Sequence, residues 1–526
     1  MRSLIIAVIV AGMTSPPSRS SSEIRGRYAV KKGTTCASQE YATNSCRMIE
    51  RPNIAIVVLD TARAKDTVPA DPTVTPTLAA LAESGTEYQN AFSSAPWTLP
   101  SHASLFTGTY PTEHGAHGDH TYLDGSLRTI ADIFREAGYE TVGVSNNTWI
   151  TDEFGFSRGF ETFRTGRECT RSSDSSTNSG LERSITKLKR SVHTLAMRTA
   201  RQRGFLDSQQ STDDGGTQTT DWIEHWISDR TTQDPFFLFV NYIEPHAEYR
   251  PSRKYAERFL PADATYEEAM AVRQDPRGYD VGQYDLSDRE LALLRALYRA
   301  EIASVDAYLG RLADSLLTNE RETILVVMGD HGENIGDHGL FGHQYSTHDT
   351  VLHVPLIVHG GAFAGGKSNT QLVQPLDLPP TLLDAAGINA PEARKQFSGR
   401  SIHPTIDTEA REQVFAEYIS PQPSIATLKA RFGELPDQFE RVAQTRRTVR
   451  TTEEKLVRRS DGSLTYYRID DDPMEQTNLV GKRPMRVAAL ENQLDEWQAS
   501  IDRTTVPTEV SISDATEQRL ADLGYR

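Results

Sequence analysis

At 526 residues, with 37% hydrophobic and 24% charged side chains, the chain is longer than one hydrophobic core supports, and its composition is globular rather than disordered or membrane-embedded. A formal net charge of −16 makes the nucleic-acid backbone a poor partner, and three cysteines (Cys36, Cys46, Cys169) do not make a disulfide framework. The expectation is a main domain plus a smaller one.

Residues 1–50 read as an N-terminal extension, a signal plus linker. Met1-Arg2 leads an apolar run from Ser3 to Met13, with the charge and core of a short secretory signal and too few residues to span a bilayer. Thr14 to Ser22 is rich in Pro and Ser and offers no small-x-small cleavage site, so export and a cytoplasmic location both stay open. No other segment reads as membrane-spanning.

A main α/β domain is expected over residues 51–398. Ile54 to Leu59 is a continuous apolar run, read as a buried parallel strand, and it ends in Asp60. Ala95-Pro96-Trp97-Thr98-Leu99-Pro100-Ser101-His102 then leads into a small-residue helix with Pro100 in its first turn, where a missing N–H is harmless. Thr98 thus offers a hydroxyl beside free amides that favour an anionic ester. His114, His117 and His120 follow and read either as a second metal group or as solvated loop residues.

Cys169 to Gly180 reads as a loop, and Leu181 to Gly204 as a basic helical segment on a surface insertion. Pro235 to Val240 is another strand candidate, followed by Glu244-Pro245-His246, which gives His246 a claim on the site. Asp263 to Asp285 reads as an irregular insertion that shapes the substrate pocket. Ile324 to Met328 is a second buried strand, ending in Gly329-Asp330-His331-Gly332-Glu333. Ligands of open α/β sheets bind at the carboxyl ends of strands, so Asp60, Asp330 and His331 fall where a metal site is expected. Two carboxylates and an imidazole suit Mg, Mn or Zn. Of the histidines that follow, His343 is singled out by its position in Gly339-Leu340-Phe341-Gly342-His343. A smaller α+β lobe is expected over 399–526, with strands at Gln413–Tyr418, Lys455–Arg458 and Leu464–Ile469.

In this order the segments resemble the sulfatase family of the alkaline phosphatase superfamily, from about Arg51 to Arg526. Asp60-Thr61-Ala62-Arg63, Thr98 to Gly108 with Tyr110-Pro111 and His114-Gly115, Asp330 to His343, Asp377-Leu378-Pro379-Pro380-Thr381 and Asp472-Pro473-Met474-Glu475 carry the resemblance, as does Leu523-Gly524-Tyr525. It implies a mixed, mostly parallel sheet flanked by helices, with a C-terminal α+β subdomain. It also implies hydrolysis of a sulfate ester, a divalent metal on Asp60, Asp330, His331 and Thr98, and a substrate-binding role for His246.

Several residues depart from the family pattern. Family sulfatases carry Cys or Ser, any residue, then Pro-Ser-Arg, and oxidise the Cys or Ser to formylglycine. Thr98 stands there instead, and its β-carbon methyl precludes an aldehyde, which disfavours formylglycine and leaves direct attack by the hydroxyl. His102 replaces the signature Arg and reads as a weaker charge stabiliser or a plain helix residue. Thr61 replaces a second Asp, and His331 replaces an Asn, which shifts the expected ion from Ca towards Mn, Zn or Mg. His343 replaces a Lys, to hold an ester oxygen or protonate a leaving group. Arg63 is a candidate anion contact or the partner of a nearby acid. The substrate expected is a sulfated or phosphorylated small molecule or glycan. Hydrolysis of sulfate esters is the first reading. Phosphoester hydrolysis or phosphoglycerol-type transfer through Thr98 is the second, and a non-catalytic binding protein on the same scaffold the third.

Overall fold

The computed structural model describes residues 51–68, 71–169, 215–437, 439, 443–501 and 513–522. The signal-like extension, the basic segment Leu181 to Gly204 and Leu523-Gly524-Tyr525 lie outside them. No helix among the described residues is long and apolar enough to cross a membrane.

The strands in chain order are β1 Asn53–Leu59, β2 Thr86–Ala91, β3 Glu140–Ser145, β4 Thr162–Thr165, β5 Phe236–Tyr242, β6 Thr323–Gly329, β7 Asn334–Ile335, β8 Phe341–Gly342, β9 Leu356–His359, β10 Lys367–Val373, β11 Val414–Tyr418, β12 Arg446–Arg450, β13 Glu454–Arg459 and β14 Leu464–Arg468. Eight form the central sheet, in the order β10-β2-β9-β6-β1-β5-β3-β4. All its pairings are parallel except those of β9, which runs against β2 and β6.

The central strands read as continuous apolar runs because both faces are covered. Ile54, Ile56 and Val58 of β1 pack with Trp97, Phe106 and Phe239 on one face. Ala55, Val57 and Leu59 pack with Leu78, Leu309 and Leu312 on the other. The first face carries the helices Thr98–Thr107, Ile130–Glu136 and Leu378–Ala385, and the second Pro76–Ser84, Gly216–Asp229 and Asp288–Leu317. A buried Phe or Ile in either layer contributes about 1.5–3 kcal/mol.

Two devices set the ends of these helices. Thr98–Thr107 stops at Gly108, whose φ of +71° is left-handed and whose added Cβ would lie 2.6 Å from Phe397, so only glycine fits. Pro76–Ser84 starts against Asp306 of the long helix, whose carboxylate accepts the Thr77 and Leu78 amides at 2.9 and 3.0 Å.

The C-terminal sheet is an antiparallel meander, β11-β12-β13-β14. Pro484–Ser500 covers it through Val487, Leu490, Leu494 and Trp497. This sheet shares its core with the first: Trp497 packs edge-on to Tyr110 at 5.0 Å, and the Tyr110 hydroxyl donates to Gln374. Asp349 of the main sheet's loops accepts from Lys455 at 2.8 Å and Arg450 at 3.1 Å. Within the expected insertion 263–285, Tyr266–Met270 and Pro276–Asp280 are short helices.

Candidate active site

The registers of the sheet assemble the site. Leu59 lies opposite both Tyr242 of β5 and Gly329 of β6, so Asp60 and Asp330 emerge side by side at the carboxyl ends of neighbouring strands. His331 follows, and a ligand atom from each of these three buried side chains lies within 4.8 Å of the others. The turn after Asp60 is tight. Thr61 adopts a φ of +61°, its N–H donates to Asp330 Oδ1 at 3.1 Å, and its carbonyl accepts from the Tyr298 hydroxyl at 2.8 Å.

Thr98 opens its helix beneath these strand ends. Its hydroxyl oxygen lies 3.2 Å from His331 Nε2, and the hydroxyl of Ser101, three residues on, donates to the Asp330 carbonyl at 2.7 Å. The His331 Nδ1–H donates to the Gly332 carbonyl at 3.0 Å, which leaves a lone pair on Nε2 facing Thr98 and, at 3.3 Å, Asp330 Oδ2. Burial drives the His331 imidazole down to about 3, so it is neutral.

Asp60 Oδ1 and Asp330 Oδ2 accept no hydrogen bond, although both are fully buried. Burial, and for Asp60 also the facing Asp330 charge, pushes both carboxyls above the ordinary range. No lysine or arginine among the described residues pairs with either one. Two unsatisfied carboxylate oxygens and an imidazole lone pair, converging without a cation, are a donor set fit for a divalent ion with mixed oxygen and nitrogen preference.

His102 is neutral as well. Its Nδ1–H donates to the Thr98 carbonyl at 2.9 Å, and burial lowers its pKa in spite of Asp330 3.5 Å away. It therefore supplies no permanent charge where the signature has arginine. His246 follows β5 with its Nδ1–H on the Ala247 carbonyl, and burial lowers it to about 4. His246 and His343 lie with ring centroids 5.2 Å apart, and His343 lies 4.4 Å from His331.

Arg63, a candidate anion contact in the sequence, is turned to its other reading. Its guanidinium pairs with Asp66 at 2.6 Å and Asp337 at 3.2 Å, donates to the Glu333 carbonyl and lies over the Tyr298 ring. Two acids and a backbone acceptor hold it there, a geometry that positions the loop and not an ester. The remaining histidines separate from the cluster: His117 and His120 bridge each other, His114 bonds Ser104, and His338 stacks on His348.

Sequence reasoning passed over five neighbours. Asn147 donates to Asp60 Oδ2 at 2.6 Å and lies 3.5 Å from the Thr98 hydroxyl. Asn241 donates towards His102 Nε2 at 3.4 Å. Glu333 accepts from His343 Nδ1 at 3.0 Å and from the Tyr249 hydroxyl at 3.2 Å, and burial pushes it up to about 8. Gln344 and Arg277 stand behind His343. The available signals were an Asn just past the end of β3 and a polar Asn inside the otherwise apolar β5.

Comparison with known proteins agrees with this architecture. The family model described as Sulfatase matches residues 52–388, and that described as N-sulphoglucosamine sulphohydrolase, C-terminal, matches 336–500. The chain is 26% identical over 448 residues to a choline-sulfatase of Rhizobium meliloti, covering 82% of each. It is 25% identical over 464 residues to an arylsulfatase of Clostridium perfringens, covering 82% of this chain and 90% of the relative. Among solved structures, the phosphonate monoester hydrolase of Agrobacterium radiobacter superposes with a TM-score of 0.64 at 20% identity, over 88% of this chain and 98% of its own. A 2-O GAG sulfatase does so with a TM-score of 0.63 at 20% identity, over 87% and 96%. A mostly parallel sheet between helices, an antiparallel C-terminal sheet and a family match that runs from β1 past the main sheet make this chain a member of the sulfatase family of the alkaline phosphatase superfamily.

Proposed function

We propose that the chain is a metal-dependent hydrolase of sulfate esters, with Thr98 as its nucleophile. The observation that carries this reading is the Thr98 hydroxyl 3.2 Å from the His331 Nε2 lone pair, beside two buried carboxylates with unsatisfied oxygens. Asp60, Asp330, His331 and Thr98 would hold the ion, with Mn, Zn or Mg favoured over Ca by the nitrogen donor. When bound, a divalent ion lowers the pKa of a nearby hydroxyl and polarises the ester oxygen.

The chain's own residues do the rest. The free amides at the start of Thr98–Thr107 favour the anionic group of the ester. Asn147 holds Asp60 and faces the nucleophile. The Thr98 hydroxyl gives its proton to water, Oγ1 bonds to sulfur in line as the sulfur–oxygen bond to the alcohol breaks, and the departing alkoxide keeps the electron pair and takes up a proton from water. Water then attacks the sulfur of the Thr98 ester and regenerates the hydroxyl. His246 and His343 flank this centre, and His102 orients the first turn through the Thr98 carbonyl. A sulfated glycan or small molecule is the substrate class; one similar structure is a 2-O GAG sulfatase, and another holds D-glucosamine-2-N,6-O-disulfate as its substrate.

Phosphoester cleavage is the second reading. Thr98 favours it, because a threonine cannot yield the formylglycine aldehyde on which sulfatases of this family rely. Rates on aryl sulfate, aryl phosphate and aryl phosphodiester, with Mg, Mn, Zn and Ca in turn, separate the two. Thr98→Ala is expected to lower turnover of the preferred ester by roughly 10³-fold or more. Unchanged turnover in that variant would sink both readings.

A further inference from the structure

A chain of buried polar side chains runs from the helix Pro276–Asp280 to the catalytic cluster. Arg277 donates to Asp280 Oδ2 at 2.8 Å and to Gln344 Oε1, and Asp280 Oδ1 accepts the Phe341 N–H at 2.8 Å. Gln344 Nε2 lies 2.7 Å from His343 Nε2, and His343 Nδ1 lies 3.0 Å from Glu333 Oε1. Glu333 Oε2 takes the Tyr249 hydroxyl at 3.2 Å and the Ala247 N–H at 3.3 Å.

Donor and acceptor arithmetic allows one arrangement here. A guanidinium only donates, so the Gln344 oxygen must face Arg277 and its NH2 must face His343. An NH2 donor opposite Nε2 requires a lone pair on Nε2, and the neutral ring then carries its proton on Nδ1, where Glu333 accepts it. Gly342 leaves the room that the Arg277–Gln344 contact occupies. Gly342 adopts a φ of +92°, and a Cβ there would lie 3.1 Å from Arg277 Nη2 and 3.3 Å from Gln344 Oε1.

We propose that Arg277 and Gln344 are positioning residues that lock His343 as its Nδ1–H tautomer with Nε2 capped, so that His343 braces His331 and Glu333 and does not protonate the leaving group. Of the two sequence expectations for His343, it sets aside protonation of the leaving group, and it rests on the Thr98 reading for the reaction it serves. It also assigns a task to part of the 263–285 insertion, which reaches the site through Arg277.

Two measurements test it. In magnesium-loaded protein labelled with 15N-histidine, with His343 assigned by its loss in His343→Gln, the expected spectrum shows a protonated Nδ1 and an unprotonated Nε2. A proton on Nε2 overturns the proposal. The second measurement is kcat on a series of aryl esters with leaving phenols of graded acidity. Gln344→Met and His343→Gln are expected to lower kcat roughly tenfold for good and poor leaving groups alike. A loss concentrated on the poor leaving groups identifies His343 as an acid and overturns the proposal. Full activity of Thr98→Ala would instead remove the nucleophile reading while leaving the tautomer result standing.

Discussion

Replacing Asn147 with alanine removes a buried donor from a metal-ligand candidate without touching the three converging ligand atoms. The Asn147 amide is fixed at both ends: its oxygen accepts the Trp149 N–H at 2.8 Å and its NH2 donates to Asp60 Oδ2 at 2.6 Å. Asp60 is 0% exposed, so water does not reach in to replace the lost donor. A hydrogen bond to a charged group contributes about 1.5–3 kcal/mol, and each 1.4 kcal/mol is a factor of about ten. Asn147→Ala should therefore weaken divalent-ion binding about 10- to 100-fold, the range expected when a ligand loses its outer partner. Titration of Mg, Mn and Zn into chelator-stripped protein by calorimetry measures it, with the urea midpoint of the stripped protein as a check on folding. Asn147→Asp keeps the shape but sets an acceptor against an acceptor, and should destabilise the stripped protein more than alanine does. An affinity within twofold of the parent for Asn147→Ala would refute the view that this amide holds Asp60 for the ion.

Three further outcomes follow from the same structure. Chelator treatment should abolish ester turnover and lower the stability, by about 4 kcal/mol if the ion is normally present at a thousandfold over its dissociation constant, read as a fall in urea midpoint; retained turnover after verified metal removal would contradict the metal assignment. Lys455 is fully buried and pairs with both Asp349 and Glu475 at 2.8 Å, so Lys455→Met should cost about 3–5 kcal/mol by leaving the acids short of a cation, read as a fall in urea midpoint. Burial holds the Asp306 carboxyl up at about 6 against an ordinary 3.8, in spite of the two amides it caps. The native state thus binds the extra proton, and the stability this group gives is full below pH 3.8 and lost as pH rises through 6, about 3 kcal/mol in all. Asp306→Asn should flatten the urea midpoint across that window, and parallel pH profiles would count against this.

The elements legible in the sequence were those whose signal is local. β1, β5 and β6 announce themselves as unbroken apolar runs, because helices cover both faces. Asp60, Asp330 and His331 were legible as polar residues leaving such strands, and the sheet register brings them together. β12 was not, since Arg446-Arg447-Thr448-Val449-Arg450 reads as solvated; two of its three arginines are instead matched by acids, Arg447 by Glu417 and Arg450 by Asp349. The reversal of β9 is likewise a tertiary property with no mark in its own residues. Asn147 serves Asp60 across 87 positions, and Arg277 meets Gln344 across 67, so each partnership exists only once the chain is folded. Arg63 shows the opposite limit: a charge in the right motif is drawn away by Asp66 and Asp337.

Glu417 of β11 has a bearing on when the enzyme becomes competent. Its N–H donates to the Ser94 carbonyl at 2.9 Å, and its carboxylate accepts the Thr112 N–H and hydroxyl at 2.8 and 2.6 Å. It thereby fastens the chain on both sides of the helix that presents Thr98. Asp60, Asp330 and His331, the three buried candidate ligands, are already translated by residue 331, yet this clasp comes more than 300 positions after Thr112. On a ribosome adding about 5–20 residues per second, the acids can gather several seconds before the nucleophile is fastened. A nascent chain halted before Glu417 should load metal without turning over an ester, whereas one long enough to pair β11 with Ser94 and Thr112 should do both.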